Sequence, residues 1–338
     1  MLRGMILRPR PPPFLHAQLL GSEPVAHAAP VPSWLRKAIE AAQTVEDAAI
    51  ASGAALGALD AVVRRQERWA GAWRQRLALA AAATTAKQGG RVEDEAALRD
   101  AVLLTRPGDE VGPAGSLLLA WRRLAARPAE HLLTQAGIAV VLYEFGLARN
   151  DEAASDLADD LRQLSGGERV VEMLTGAFAS AERHGFGRNL GSWLADAMLA
   201  QRLGWPHAVP LSGAQPASGG SAPRARQQTI GMAERRLEAS TQKVQCLLVA
   251  QARAALRAID LSAELGRRAE RLLAVAPKLR ARGSDAVVER LLCDDAVVAS
   301  EKVAGMSDRG LRRLFDRLVD LDAVRELTGR PIFRIYGL

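Results

Sequence analysis

Arginine side chains are concentrated in one short stretch near the end of the chain, and they are the residues best suited to chemistry with a ligand. A guanidinium group donates two parallel hydrogen bonds, so it can bind phosphate oxygens or the O6 and N7 atoms of guanine. A matched pair of this kind discriminates between bases by about 1–3 kcal/mol. The candidate DNA-binding residues are Ser307, Arg309, Arg312, Arg313, Arg317, Arg330 and Arg334.

Local structure must place these arginines on one surface, and the pattern from Ser284 onward predicts how. Helices are expected over 285–295, over a short stretch 299–304, and from the N-cap Ser307 to about Leu321. Leu311, Leu314, Phe315 and Leu318 recur at steps of three and four, which places them on one buried face opposite the arginines. The following residues alternate and contain a Gly329-Arg330 turn, which predicts a terminal β-hairpin. The sequence therefore predicts a winged helix-turn-helix over 284–338.

The charge pattern leaves a second interpretation open. Aspartates interleave with the arginines and can occupy them in ion pairs worth about 0.2–0.5 kcal/mol each. Residues 284–338 carry a net charge of −1, and residues 224–282 carry a net charge of +8. The net charge of the whole chain is +7. Double-stranded DNA is therefore one expected partner, and the alternative is a helical scaffold whose winged helix packs on the body or forms a homo-oligomer. The interleaved aspartates are Asp308, Asp316, Asp320 and Asp322.

The rest of the chain is predicted to be mainly α-helical. Alanine occupies 64 of 338 positions, while Phe, Trp and Tyr together occupy 14, which favours closely packed helices over sheets. We expect a Pro-rich arm over 1–33 and a multi-helix bundle over 34–210. A flexible Gly/Pro/Ser-rich linker over 211–227 and long basic helices over 228–282 should follow. Two helices, 229–258 and 260–276, are predicted within the last segment.

The sequence contains no recognisable catalytic or cofactor motif. No nucleophile elbow, P-loop, dinucleotide fingerprint or paired metal-binding histidines occur, so we expect no enzyme activity, no cofactor and no metal site. The acidic run Glu93-Asp94-Glu95 is better explained as a helix start than as a metal site. Trp69, Trp73 and Trp121 have the spacing of core residues, and Cys246 is expected to be a small buried side chain.

Targeting signals are also missing from the pattern. The basic N-terminal residues are followed by Pro11-Pro12-Pro13 rather than by an apolar segment. No run approaches the ~18–20 apolar residues that a membrane span requires. We therefore expect a cytoplasmic protein without a membrane partner.

Three groups of sequence motifs carry a resemblance to a known family. They are residues 93–124 with Arg106-Pro107-Gly108-Asp109, residues 194–211 with Leu203-Gly204-Trp205-Pro206, and residues 306–338 with Arg325-Glu326-Leu327-Thr328-Gly329-Arg330. Together they resemble an uncharacterised rhizobial family known as a domain of unknown function, from about residue 34 to the end. The last part is also similar to winged helices appended to some Fic-type proteins. The Fic catalytic string is absent, so the resemblance implies no Fic activity.

Overall fold

The computed structural model describes residues 31–106, 108–147, 151–167, 169–214, 232–330 and 332–338, with only the backbone described at 214 and 232–237. The Pro-rich arm over 1–33 therefore lies almost wholly outside the described residues. The same holds for most of the linker over 211–227. Neither of these two predictions is tested.

The described residues form a mainly helical protein with one small sheet, which confirms the predicted fold class at this level. Its helices are α1 (Ser33–Ala41), α2 (Val45–Arg64), α3 (Ala70–Gln88), α4 (Glu95–Leu103), α5 (Gly112–Ala126), α6 (Gln135–Glu144), α7 (Asp151–Ser165), α8 (Val170–Arg183), α9 (Gly187–Arg202), α10 (Met232–Val275), α11 (Ser284–Cys293) and α12 (Asp308–Asp320). Its strands are β1 (Val297–Val298), β2 (Arg325–Glu326) and β3 (Ile335–Gly337).

Side-chain caps fix where several helices begin. The hydroxyl of Thr44 accepts from the amide of Asp47 at 3.1 Å and starts α2. The carboxylate of Asp94 accepts from the amide of Ala97 at 2.8 Å and starts α4. Each cap satisfies an amide that has no partner within its helix. The acidic run at 93–95 thus belongs to a helix start, as the sequence predicts.

Alanine and tryptophan side chains contribute to the packing of the body in different ways. Buried alanines such as Ala51 on α2 and Ala255 on α10 let these two helices approach closely. Trp69, Trp73 and Trp121 are all buried, which confirms the core prediction. The indole of Trp73 donates to the carbonyl of Ala258 at 2.8 Å, so α3 is tied to α10.

The basic segment after the linker is one helix, and the prediction of two helices is wrong. The 44 residues of α10 continue through Ile259 and Asp260 without a break. Asp260 is a weak helix former, but its carboxylate accepts from Arg36 on α1 at 2.6 Å, and packing overrides the local preference. At 1.5 Å per residue, α10 is about 66 Å long.

The C-terminal residues form α11, the three strands and α12 in the order α11-β1-α12-β2-β3. The sheet is antiparallel with strand order β1-β3-β2; Val297 pairs with Tyr336 and Glu326 also pairs with Tyr336. The terminal hairpin is therefore present, although its strands are only two and three residues long.

The predicted short helix over 299–304 is not present. The amide of Ala299 donates to the carbonyl of Arg334 at 3.0 Å, which extends the β1–β3 ladder into the start of the predicted helix. Gly305 then turns the chain at a φ of +81°, a left-handed conformation that glycine adopts without strain. Strand pairing thus replaces the helix, and the segment before α12 is a turn.

Candidate nucleic-acid interface

Helix α12 has one buried face and one face open to solvent. Leu311, Leu314, Phe315 and Leu318 are buried, and the ring of Phe315 stacks on Tyr336 of β3 with centroids 4.3 Å apart. The Ser307 hydroxyl accepts from the amide of Gly310 at 3.2 Å. Ser307 is therefore the N-cap that the sequence predicts, and it fixes the start of α12.

The four arginines of α12 lie on its open face. All four are exposed, and none has a hydrogen-bond or ion-pair partner for its side chain among the residues that the structure describes. They are separated by steps of three, one and four, so Arg309, Arg313 and Arg317 lie on successive turns and Arg312 lies beside Arg313. The structure brings together Arg309, Arg312, Arg313 and Arg317.

The two hairpin arginines are engaged elsewhere. The guanidinium of Arg330 lies 2.6 Å from the carboxylate of Asp100 on α4. Arg334 lies 3.7 Å from Asp316 on α12 and 3.8 Å from Glu326 on β2. Both side chains thus hold the hairpin to its neighbours, and they do not join the exposed set on α12.

A second group of cations lies in the segments just before α11 and just before α12. Lys278, Arg280, Arg282 and Lys302 are exposed and have no side-chain partner among the described residues. Arg282 lies against the turn before Ser307, because a Cβ built on Gly305 would come 3.5 Å from Arg282 Cγ. We call these four residues together with the four arginines of α12 the cationic surface.

Charges of the opposite sign are fewer on this surface. Asp285, Asp308 and Asp320 are exposed there, and Asp316 is shared with Arg334. The sequence indicates the positive excess of residues 224–282, but it gives no sign that the end of this segment lies beside α12. The close approaches of Arg282 to Gly305 and of Gly283 to Ala304 reveal that proximity.

A buried carboxylate joins the C-terminal residues to the body. Asp295 follows α11 and is 1% exposed. Its carboxylate accepts from Arg99 Nε at 2.7 Å and from Arg76 Nε. Burial disfavours its charge, yet the positive charges of Arg76, Arg99 and Arg122 outweigh burial and lower the pKa of Asp295 below the ordinary carboxyl value.

Two further interactions make this joint rigid. Arg268 on α10 donates to the carbonyl of Leu338 at 3.0 Å, so the last described residue is tied to the long helix. The apolar core is also continuous from the body into α11 and α12. The structure therefore holds α12 at a fixed position relative to α3, α4 and α10. Sequence reasoning missed Asp295 as a joint, since nothing local links it to Arg76 or Arg99.

Other candidate chemistry finds no support in the geometry. Among the described residues, no three His, Cys, Asp or Glu side chains are close enough to hold a metal ion. Burial, with the charge of Glu289, raises the pKa of Cys293 to about 11, so this thiol is protonated at neutral pH and is a poor nucleophile. Cys246 is exposed, and the prediction that it is buried is wrong: its position on α10 faces away from the core.

A mainly helical body with a small antiparallel sheet at its C-terminal end defines the structural class. The chain belongs to the family described as "Protein of unknown function (DUF1403)", whose model matches residues 22–338. No curated protein and no solved structure matches the chain. None of the described helices combines the length and apolarity needed to cross a membrane.

Proposed function

We propose that this protein binds double-stranded DNA non-catalytically through the cationic surface, with α12 as its central element. The observation that carries the proposal is a set of four exposed arginines on one helix, none of which has a side-chain partner in the part of the chain that the structure describes. Buried or paired arginines have a structural explanation, whereas unpaired guanidinium groups gathered on one face attract phosphate oxygens.

The dimensions of α12 suit a duplex. Its 13 residues span about 20 Å, and an α-helix fits the major groove, which is about 12 Å wide. In this proposal Arg309, Arg312 and Arg313 contact bases or phosphates and Arg317 contacts a phosphate. Ser307 serves by fixing the helix start.

The order of the C-terminal elements supports a winged-helix reading of this region. A strand between two helices, followed by a hairpin that pairs with it, is the arrangement expected of such modules once their middle helix is reduced to a turn. The proposal differs from the sequence-based hypothesis at the hairpin, because Arg330 and Arg334 are committed to ion pairs. We assign them to positioning the hairpin.

Lys278, Arg280, Arg282 and Lys302 extend the proposed contact along the sugar-phosphate backbone. Lys278 ends a short 3-10 helix after α10, and the other three lie on irregular backbone before α11 and before α12. Such positions suit contact with phosphates rather than reading of base edges. Because the anionic side chains Asp308, Asp316 and Asp320 also lie on α12, the proposed affinity depends on the additional cations.

Fluorescence anisotropy with a labelled 30-base-pair duplex tests the proposal at 50 mM and 200 mM salt. The wild-type chain should bind at low salt, and binding should weaken steeply at high salt. The double variant Arg312→Ala/Arg313→Ala should bind at least tenfold more weakly. The matched control is Lys87→Ala/Arg127→Ala, which removes two exposed charges from the C-terminal ends of α3 and α5 and should leave affinity nearly unchanged.

If both double variants lost the same DNA affinity, net charge alone would explain the effect, and a defined binding surface would be contradicted. Absence of binding by the wild-type chain to specific and random duplexes at low salt would refute DNA binding outright. Tighter binding of single-stranded DNA or RNA than of the duplex would reject a major-groove role for α12.

A scaffold that self-associates is the second candidate, and one observation favours it. Ile332 and Phe333 at the hairpin tip are 66% and 59% exposed, and apolar side chains at a loop tip are typical contacts between subunits. Light scattering of the wild-type chain and of Ile332→Ser/Phe333→Ser distinguishes this candidate. A dimer that the double variant converts to a monomer would support it, and a wild-type monomer would reject it.

A further inference from the structure

A groove separate from the cationic surface lies on the body, between α2, α8, α9 and α10. Its volume is about 460 Å³, which is within the usual range for small-molecule sites. Apolar side chains from three of these helices form most of its walls: Val170, Val171, Leu174, Leu199, Leu203 and Leu248.

The floor of the groove is formed by glycines. Gly53 and Gly57 lie one turn apart on α2, and a Cβ built on either would meet no atom within 4 Å. Glycine weakens a helix interior, and these two positions need no unusual backbone angle and no close helix contact. Their small size leaves room for a ligand above α2.

One end of the groove presents a buried amide. Gln251 on α10 is 3% exposed, and its Oε1 accepts from the Ser52 hydroxyl at 3.3 Å. The Nε2 group of Gln251 has no hydrogen-bond partner among the described residues, although both of its protons can donate. Nε2 is not one of the fully buried atoms that lack a partner among the described residues, so it remains accessible from the groove and can donate to an acceptor on a ligand.

The groove carries no net charge. Its two ionisable lining residues, Asp60 and Arg64, pair with each other at 2.7 Å. The Trp205 indole also donates to Asp60 at 2.8 Å, and Arg64 donates to the carbonyl of Leu203 at 2.9 Å. A charged ligand would find no unpaired counter-charge here, and a neutral ligand needs none.

We infer that this groove binds a small neutral amphiphile that has a hydrocarbon chain and one carbonyl group. The carbonyl oxygen accepts from Gln251 Nε2. The hydrocarbon chain lies over Gly53 and Gly57, against the leucine and valine walls. This inference is independent of DNA binding and concerns a different face of the molecule.

Fluorescence titration of the full chain tests the groove, with N-phenyl-1-naphthylamine as the apolar probe and nonan-2-one as the competing neutral ketone. The wild-type chain should bind one probe molecule, and the ketone should displace it. The variant Gly53→Leu/Gly57→Leu should bind the probe at least tenfold more weakly, because two leucine side chains fill the floor. The exposed residue Ile50 on α2 supplies the control Ile50→Ala, which should bind as the wild type does.

The role of the amide is tested separately with Gln251→Met, which keeps the side-chain length. The ketone should displace the probe at about fivefold higher concentration than in the wild type, while direct affinity for the probe stays the same. Circular dichroism and urea unfolding establish that each variant folds, and the single variant Gly57→Leu replaces the double variant if the latter does not. A wild-type chain that binds no probe, or a folded leucine variant that binds as tightly as the wild type, would overturn the inference.

Discussion

Arginine has opposite roles in two neighbouring regions of this molecule. At the joint around Asp295, Arg76 and Arg99 are largely buried and bound to one carboxylate. On α12, Arg312 and Arg313 are exposed and have no partner among the described residues. The residue type is the same, and the surroundings decide whether it holds the fold together or is available to a ligand. An arginine-rich composition is therefore no evidence of function until each guanidinium group is placed.

The largest expected effect is at the joint. Asp295→Ala removes the carboxylate that contacts both Arg76 and Arg99, which leaves two largely buried cations uncompensated. We expect the free energy of unfolding to fall by about 3–5 kcal/mol, measured by urea denaturation. Asp322→Ala is the control, since it breaks an exposed pair with Arg271; a similar loss there would remove the contrast between buried and exposed pairs.

Acid should weaken the joint in a defined direction. Because the folded-state pKa of Asp295 is lowered, its ion pairs stabilise the fold at every pH above the ordinary carboxyl pKa of about 4. That stabilisation is lost as the pH falls further, through the lower pKa of the folded state. Urea midpoints measured from pH 2 to pH 7 should therefore drop more steeply for the wild type than for Asp295→Asn. Parallel curves would contradict this assignment.

Removing charge from the part of the cationic surface outside α12 should leave stability unchanged and alter only binding. For the proposed DNA complex, Arg280→Ala/Arg282→Ala should reduce the slope of log affinity against log salt by about 2, one for each lost phosphate contact. The urea midpoint should not move, because both side chains are exposed and unpaired. A change in stability without a change in slope would place these residues with the joint.

The smallest effect is expected at Arg330, which lies between the two regions. Its pair with Asp100 is half exposed on the arginine side, so Arg330→Ala should lower the free energy of unfolding by no more than about 1 kcal/mol. DNA affinity should remain within about twofold of the wild type. A large loss of affinity with unchanged stability would instead restore Arg330 to the contact surface.

Local patterns in the sequence predict local features well. The apolar spacing on α12 and the cap at Ser307 both follow from short-range rules, and the structure confirms them. Features that depend on distant partners escaped prediction. Asp260 is predicted to lie at a helix boundary because the local sequence does not show its ion pair with Arg36, which is 224 positions away. Residues 299–304 are predicted to be helical because the local pattern does not show their strand partner, which follows α12.

The candidate surface shows the same division. The arginines of α12 are found from their spacing, since a helix turns side chains three or four apart to one side. Their continuation through Arg280 and Arg282 depends on a turn that brings Gly305 beside Arg282, and no periodicity encodes such a contact. Likewise, the engagement of Arg330 by Asp100 joins residues far apart in the chain.

The continuity of α10 has a mechanical consequence. Gln251 in the groove and Arg268, which holds Leu338, lie on one uninterrupted helix about 26 Å apart. A jointed pair of helices could absorb a small rotation at the intervening bend, whereas an uninterrupted helix transmits axial rotation along its length. Any axial rotation imposed on α10 beside Gly53 and Gly57 must therefore be accommodated by the contacts that hold the sheet and α12 against the body.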